Sequence, residues 1–407
     1  MFRTGGSPAL WSGRVVDAAR DVWRAVTPLG RSVGAAGLVC WAVAVGLGWE
    51  ELSIVAAACL LALMVGVVFL LFGKADLAVV LDLTTPRVVV GDAAATSVEA
   101  TNEADHRMLP VRLEARVGGG LAHVDVPALG AGASHDEVFV IPTSRRSVVP
   151  VGPVRSVQGD PLGLVRRERI WTGTEQLYVH PRTVRVSSMA TGWMRDLEGE
   201  TTNDRSPSDV AFHTLREYVV GDDRRHIHWR TTARQADGKL MVREFVDTRR
   251  AHLGLVMSVR LDDYGSDQEF ELAVSVMASL GLRALGDDQE VTCLTGVRRA
   301  PSFHGTSFLD SLAGLEVGSD DASVVMAAAR GRDAFRGVSV AAVISGSRCD
   351  PAELRAAAQR IGPSVHTVLI RAVSGSDSRL VASGGAPMLE VGSLDDLPRL
   401  VFAVAGR

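Results

Sequence analysis

REYVVGDDRRHIHWRTTARQADGKLMVRE, residues 216–244, is the densest run of polar, aromatic and cationic side chains in the chain, and the pattern changes on either side of it. Before it, long apolar runs give way to short segments that alternate with period two. After it, strand-like and helix-like segments take turns. Within it, Arg216 and Glu217 open a strand-like REYVV run that includes Tyr218. Val220-Gly221-Asp222-Asp223 is a turn signal, because glycine tolerates positive φ and aspartate bonds nearby backbone. His226, His228 and Arg230 alternate around Ile227 and Trp229, so an extended chain would place the two sets on opposite faces. Arg225, Arg234, Lys239 and Arg243 supply further positive charge, with Glu217, Asp222 and Glu244 as carboxylate partners.

Three kinds of chemistry fit these residue types. The first is an interdomain seam, in which Arg–carboxylate pairs fix geometry while Trp229 and Tyr218 bury area and keep polar handles. The second is an anion or nucleotide-phosphate site on Arg216, Arg225 and Arg234. The third makes His228 a general acid or base near Asp222. Ion-pair networks are common without catalysis, so the seam is the expected reading and no catalytic residue is assigned. His226 and His228 lack a third and fourth ligand at zinc spacing.

Downstream, residues 251–407 read as an α/β domain. Strands are expected at 253–259, 290–294, 338–344 and 365–371, and helices at 268–285, 307–315, 322–329, 351–361 and 394–405. Such alternation implies a parallel sheet covered on both faces. Hard divalent cations need oxygen ligands at the strand ends. By likeness to integrin-like A domains, which hold Mg²⁺ on an Asp-x-Ser-x-Ser loop after the first strand, Ser258 and Ser345 stand where an aspartate is usual, and Arg260 adds repulsion. The expectation is a degenerate site without metal or other cofactor, with Asp262, Asp263 and Asp267 in a solvated loop.

Upstream, residues 75–185 carry short period-two segments at 77–83, 87–90, 96–101, 111–117, 137–141, 154–157 and 176–179. Thr85-Pro86, Gly91-Asp92, Gly118–Gly120 and Gly159-Asp160-Pro161 separate several of them. This predicts an antiparallel β-sandwich. The Arg-rich run 166–171 reads as an edge strand guarded by charge. Residues 186–250 comprise a polar connector over 186–210 and the opening stretch itself. Residues 33–47 and 52–72 are apolar, separated by little more than Glu50 and Glu51, and predict a two-helix transmembrane hairpin over 33–74. Residues 1–32 suit an interfacial or cytoplasmic helix. Arg3, Arg14, Arg20, Arg24 and Arg31 precede the hairpin and Lys74 follows it, so a two-pass cell-membrane protein with both ends cytoplasmic is expected.

Composition narrows the class. A formal net charge of −4 over 407 residues argues against nucleic acid as a partner. The four cysteines, at 40, 59, 293 and 349, form no CxxC pair. No GxxxxGK[ST] loop occurs, since Gly73-Lys74 and Gly238-Lys239 lack the preceding glycine, so the chain is not a P-loop ATPase.

The apolar hairpin, the VGPVR and GDPLGLVRR runs within 151–167, LYVHPR at 177–182 and REY–GD–R–IHW–AR within 216–234 together resemble the DUF58 family, a bacterial membrane family of unknown activity. The resemblance implies a β-sandwich-like region before a von Willebrand factor A-like α/β domain. It also implies an assembly role beside a MoxR-type AAA+ ATPase, with a transglutaminase-like membrane protein as a further partner, and the lack of a catalytic constellation makes a non-enzymatic scaffold the expected reading.

Overall fold

The computed structural model describes residues 25–72, 76–160, 162–187, 212–220, 222, 224–234, 239–245, 252–318, 321–363, 365–381 and 385–405. The chain divides into two compact units, residues 1–179 and 180–407.

The first unit opens with α1 (Pro28–Leu47) and α2 (Glu50–Phe72). Thr27 caps α1 by accepting the Gly30 N–H at 3.0 Å, and Pro28 occupies the first turn, where its missing N–H costs nothing. The helix therefore begins at Pro28, not at residue 33 as read from the apolar run. Gly48 closes it at φ 74°, and Glu50 and Glu51 place negative charge at the positive end of α2. Both helices are long and apolar enough to cross a membrane. Their large side chains, among them Leu38, Val39, Trp41, Val45 and Ile54, are mostly exposed, so they do not form the core of a soluble domain. The helices approach through small residues. A β-carbon added at Gly37 would lie 3.0 Å from that of Cys59, and one at Gly34 would lie 3.2 Å from Leu63 Cδ1. Most of residues 1–32 lie outside the described residues.

Two antiparallel sheets follow. β1 (Leu77–Asp82), β3 (Ala94–Asn102) and β6 (Ser134–Ile141) form one. The other has order β2-β9-β7-β4-β5, from β2 (Arg87–Val89), β4 (Val111–Val117), β5 (Gly120–Val126), β7 (Ser147–Gly159) and β9 (Glu175–His180). β8 (Arg166–Ile170) pairs with β7 and is exposed throughout. Alternate residues of both sheets, including Leu81, Val98, Leu113, Val124, Val154 and Leu177, meet in one apolar cluster. The GDPLGLV run explains itself here. Asp160 accepts the N–H groups of Leu162 (3.0 Å) and Val165 (2.7 Å), shaping a tight loop. Thr27 then donates its hydroxyl to Gly163 O (2.7 Å) and its N–H to Leu164 O (3.0 Å), while Val165 fits against Gly66. The loop thus fastens the β-rich part to the base of the helices.

The second unit begins with a hairpin of β10 (Phe212–Glu217) and β11 (Met241–Phe245), with the short helix α3 (Trp229–Thr232) in its connection. A seven-stranded sheet follows in the order β14-β13-β12-β15-β16-β18-β17. Its strands are β12 (His252–Met257), β13 (Glu290–Thr295), β14 (Arg298–Ala300), β15 (Val340–Gly346), β16 (His366–Ala372), β17 (Arg379–Val381) and β18 (Met388–Val391). The five central strands are parallel, and β14 and β17 are antiparallel edges. The helices are α4 (Asp267–Gly286), α5 (Gly305–Ala313), α6 (Val324–Arg330), α7 (Pro351–Ile361) and α8 (Leu397–Ala405). Strand alternation sorts the core into two layers. Leu255, Met257, Ala342 and Ile344 pack with Phe270, Val274 and Met277 of α4. Val256, Ala341 and Val343 pack with Ala327 of α6 and Leu354 of α7. The three short strands β14, β17 and β18 were not legible in the sequence.

The approach of α1 to α2 has a direct test. Gly37→Cys should oxidise with the native Cys59 after a helix shift of about 1 Å, since disulfide β-carbons sit ~3.8 Å apart. Intact mass should fall by two hydrogens in this variant, and the loss should vanish with Cys59→Ala. Absence of cross-linking under oxidant would refute the packing.

Candidate functional site

The order of strands fixes where a ligand-binding crevice belongs. From β12 the chain goes to β13 on one side and later returns to β15 on the other. In open α/β sheets the crevice lies beyond the carboxyl ends of such diverging strands. At that end of this sheet lie residues 258–265 after β12 and 345–353 at the end of β15.

Asp263 lies in the first of these loops and is only 1% exposed. Its Oδ2 accepts the Ser258 hydroxyl at 2.5 Å, and its Oδ1 accepts Arg260 Nε (2.9 Å) and Nη2 (2.5 Å). The carboxylate beside Arg260 holds the guanidinium more firmly protonated than usual. The expectation of a solvated loop at Asp263 is therefore corrected. A serine at 258 and an arginine at 260 make burial of this carboxylate possible, because a buried charge persists only when paired and hydrogen-bonded. Tyr264 donates its hydroxyl to Ser258 O at 2.5 Å, and burial pushes that phenol well above its usual range. A β-carbon at Gly346 would lie 2.5 Å from Asp263 O and from Tyr264 Cδ1, so the end of β15 must be glycine.

The polar network continues along the carboxyl edge. Glu269 Oε2 accepts the N–H of Gly265 (2.7 Å) and both the N–H (3.2 Å) and hydroxyl (2.8 Å) of Ser347. Arg371 donates to Ser347 O and to Glu390 (2.9 Å), and Arg379 reaches the same Glu390 at 2.6 Å. Ser258 and Ser345 are both fully buried in this region. Sequence reasoning named these two serines but missed Glu269, Ser347, Cys349 and Glu353, which no local spacing connects.

The other site residues lie in and around the β10–β11 hairpin. Arg216 makes a bidentate bond to Asp222, Nη1 to Oδ2 at 2.8 Å and Nη2 to Oδ1 at 2.7 Å. Asp222 also accepts the Val219 N–H at 2.9 Å, which closes the turn. Lys239 pairs with Glu217 at 2.5 Å, and the Tyr218 N–H donates to Leu240 O at 2.8 Å. Gly221 lies outside the described residues. The expected extended alternation over 226–230 does not occur. Arg224–His226 form a 3-10 turn, Ile227 makes a bridge to Val242, and His228 caps α3. His228 Nδ1 lies 2.7 Å from Thr231 Oγ1, so its partner is Thr231 rather than Asp222. Trp229 was expected to bury its ring, yet it is 65% exposed. Arg225, Arg234 and Arg243 are exposed, and Glu244 stands opposite Thr214 in the hairpin register.

No curated protein matches the chain. Solved structures with similarity include the CARDB domain of a Pyrococcus furiosus protein in complex with di-metal ions, at 16% identity, 26% of this chain, 94% of that one and TM-score 0.21. The putative ApaA protein from Bordetella pertussis shares 16% identity over 26% of this chain and 95% of that one, with TM-score 0.19. Beta-glucosidase from Listeria innocua shares 12% over 26% of this chain and 17% of that one, with TM-score 0.17. Likeness at this level carries no argument about fold or activity. Residues 214–389 match the family described as "Protein of unknown function DUF58". That segment holds both the Arg216–Asp222 clamp and the Asp263 network, and the match supports assignment to the DUF58 family.

Proposed function

We propose that this protein is a membrane-anchored, non-enzymatic scaffold that works beside a MoxR-type AAA+ ATPase in the assembly of other complexes. The observation that carries this reading is the surface between β10 and β11. Val219 and Val220 are 62% and 95% exposed and Trp229 65%, in a segment that also exposes Arg224, Arg225, Arg230 and Arg234. Tryptophan and arginine are the residues that most often dominate binding at protein interfaces. The Arg216–Asp222 clamp holds the turn in place before a partner arrives, which lowers the ordering cost of binding.

The remaining architecture supports the same reading. The two antiparallel sheets with a shared cluster suit a β-sandwich spacer, and the two-sided parallel sheet suits a von Willebrand factor A-like domain. The two apolar helices would form a two-pass anchor, with the flanking arginines holding both soluble units on the cytoplasmic side. A transglutaminase-like membrane protein fits as a neighbour in the bilayer. The alternative, an enzyme or sensor for an anionic small molecule, is supported less well. Arg216 is engaged by Asp222 and His228 by Thr231, so two of the groups it would use are already committed within the protein.

Two experiments follow. Full-length tagged protein extracted in mild detergent should co-purify with the AAA+ ATPase in a nucleotide-dependent way, and Val220→Ser with Trp229→Ala should weaken that at least tenfold. Equal recovery with the double variant, or recovery of this protein alone with and without nucleotide, would contradict the reading. The clamp has its own readout. Asp222→Ala removes both the guanidinium's partner and the Val219 acceptor, a loss of about 1–3 kcal/mol. Trypsin cleavage after Arg224 and Arg225 should accelerate roughly tenfold or more, since cleavage follows local opening. Arg216→Lys, which keeps charge without the planar fork, should fall between.

A further inference from the structure

The loop that fastens the β-rich part to the two apolar helices sits at a depth that the helices themselves fix. A β-carbon at Gly66 of α2 would lie 2.9 Å from Val165 Cγ2, and Leu164 O leaves no room for one at Gly30 of α1. From Glu50 to Gly66 is 16 residues, about 24 Å at 1.5 Å per residue, and from Gly30 to Leu47 is 17, about 26 Å. A hydrocarbon core is ~30 Å thick, so with the Glu50–Glu51 tip at one surface the loop meets the helices about 5 Å inside the other. Tilt of the helices takes it deeper. Irregular backbone is tolerated at such a depth only when its polar groups are satisfied within the protein. Here Asp160 accepts the N–H groups of Leu162 and Val165 on its carboxylate and that of Gly163 on its backbone oxygen, at 3.0 Å. Thr27 donates to Gly163 O and Leu164 O, and the Asp160 N–H to Val165 O at 3.3 Å. The Leu162 side chain, by contrast, is 60% exposed.

Charge follows directly. β8 carries Arg166, Arg167 and Arg169 against Glu168 alone, and all of its residues are exposed. Arg166 reaches Glu168 at 2.9 Å, and Arg155 of β7 shares that carboxylate at 3.2 Å. Arg169 stacks over the Trp171 ring at 4.1 Å, with Asp76 3.9 Å away. Arg31 lies one turn into α1, at the same end of the helices. Basic side chains beside a bilayer are drawn to anionic headgroups, and a tryptophan ring with a polar end suits the interface. We propose that residues 162–165 dip into the bilayer, with Leu162 among the acyl chains and Arg166, Arg167 and Arg169 on anionic lipid headgroups. A lipid surface is the partner because the apolar helices themselves set the loop's place. The inference rests on the membrane-anchor reading of α1 and α2 and needs nothing from the β10–β11 surface.

Full-length protein with Leu162→Cys, in a Cys40→Ala and Cys59→Ala background, takes an environment-sensitive fluorophore at one place, since Cys293 and Cys349 are buried. The control is Leu121→Cys, 50% exposed at the far end of the strands. Leu121 pairs with Arg116 and Val117 with Val151, and Gly159 comes 8 residues later in β7, about 26 Å away. In lipid nanodiscs the label at 162 should emit to the blue and be quenched about twofold or more by lipids with a nitroxide high on the acyl chain, while the label at 121 stays water-like. Replacing about a third of the neutral lipid by phosphatidylglycerol should strengthen the quenching, and Arg166→Gln with Arg167→Gln and Arg169→Gln should remove that gain. Should the labelled variant misfold by circular dichroism, photoactivatable lipid cross-linked to the wild-type chain gives the same readout, as adducts at residues 162–165. A chain that enters no disc overturns the anchor reading and this inference together. A chain in discs with a water-like label at 162, an equal response at 121, or quenching unmoved by anionic lipid or by the three substitutions overturns this inference alone.

Discussion

The second unit depends on one buried carboxylate. Asp263 takes the hydroxyl of Ser258 and the guanidinium of Arg260, while its backbone oxygen accepts the Arg348 N–H at 3.1 Å. It therefore ties the loop after β12 to the loop after β15, across the point where the sheet's connections diverge. A buried charge of this kind is poor at adding stability, because desolvation offsets much of the attraction. Its contribution is geometric. With Asp263 in place, Tyr264 reaches Ser258 O, Gly346 passes close behind, and Glu269 collects Gly265 and Ser347.

The same device recurs at smaller scale. Asp160 gathers two backbone N–H groups to shape the loop that meets Thr27, and Asp222 gathers Val219 and Arg216 to shape the turn of the β10–β11 connection. In each case a short acidic side chain organises backbone that lacks a ladder partner. Two of the sequence runs that carry the family resemblance, GDPLGL and REYVVGD, are thus loop-shaping devices built on one aspartate each.

Much of the fold was legible because periodicity reports burial directly. The alternation over 96–101 became the strictly alternating β3, and the apolar positions at 270, 273, 274, 277 and 280 became the buried face of α4. β14, β17 and β18 were not legible, because a strand of three or four residues holds too few positions to show a period. β5 was partly hidden by the glycines at 118–120 that form its entry turn.

The site was legible in its parts and not in its assembly. The serines at 258 and 345 were found from strand-end positions. LDDYGSD, however, reads as a solvated loop, since nothing local reveals that Ser258 and Arg260 will bury Asp263. Likewise HIHW alternates like a strand, but Ile227 bridges Val242 and His228 caps a helix, so Trp229 turns outward. Hydrogen exchange measured by mass spectrometry on full-length Asp263→Asn tests the central claim most directly. The change keeps the shape of the side chain and removes its charge, which leaves Glu353, at 3.6 Å, as the carboxylate that remains beside Arg260. Exchange at residues 258–265 and 345–350 should quicken about tenfold, a loss of ~1.4 kcal/mol of local stability, while the β-rich unit stays unchanged. Unaltered exchange in both loops would contradict the account.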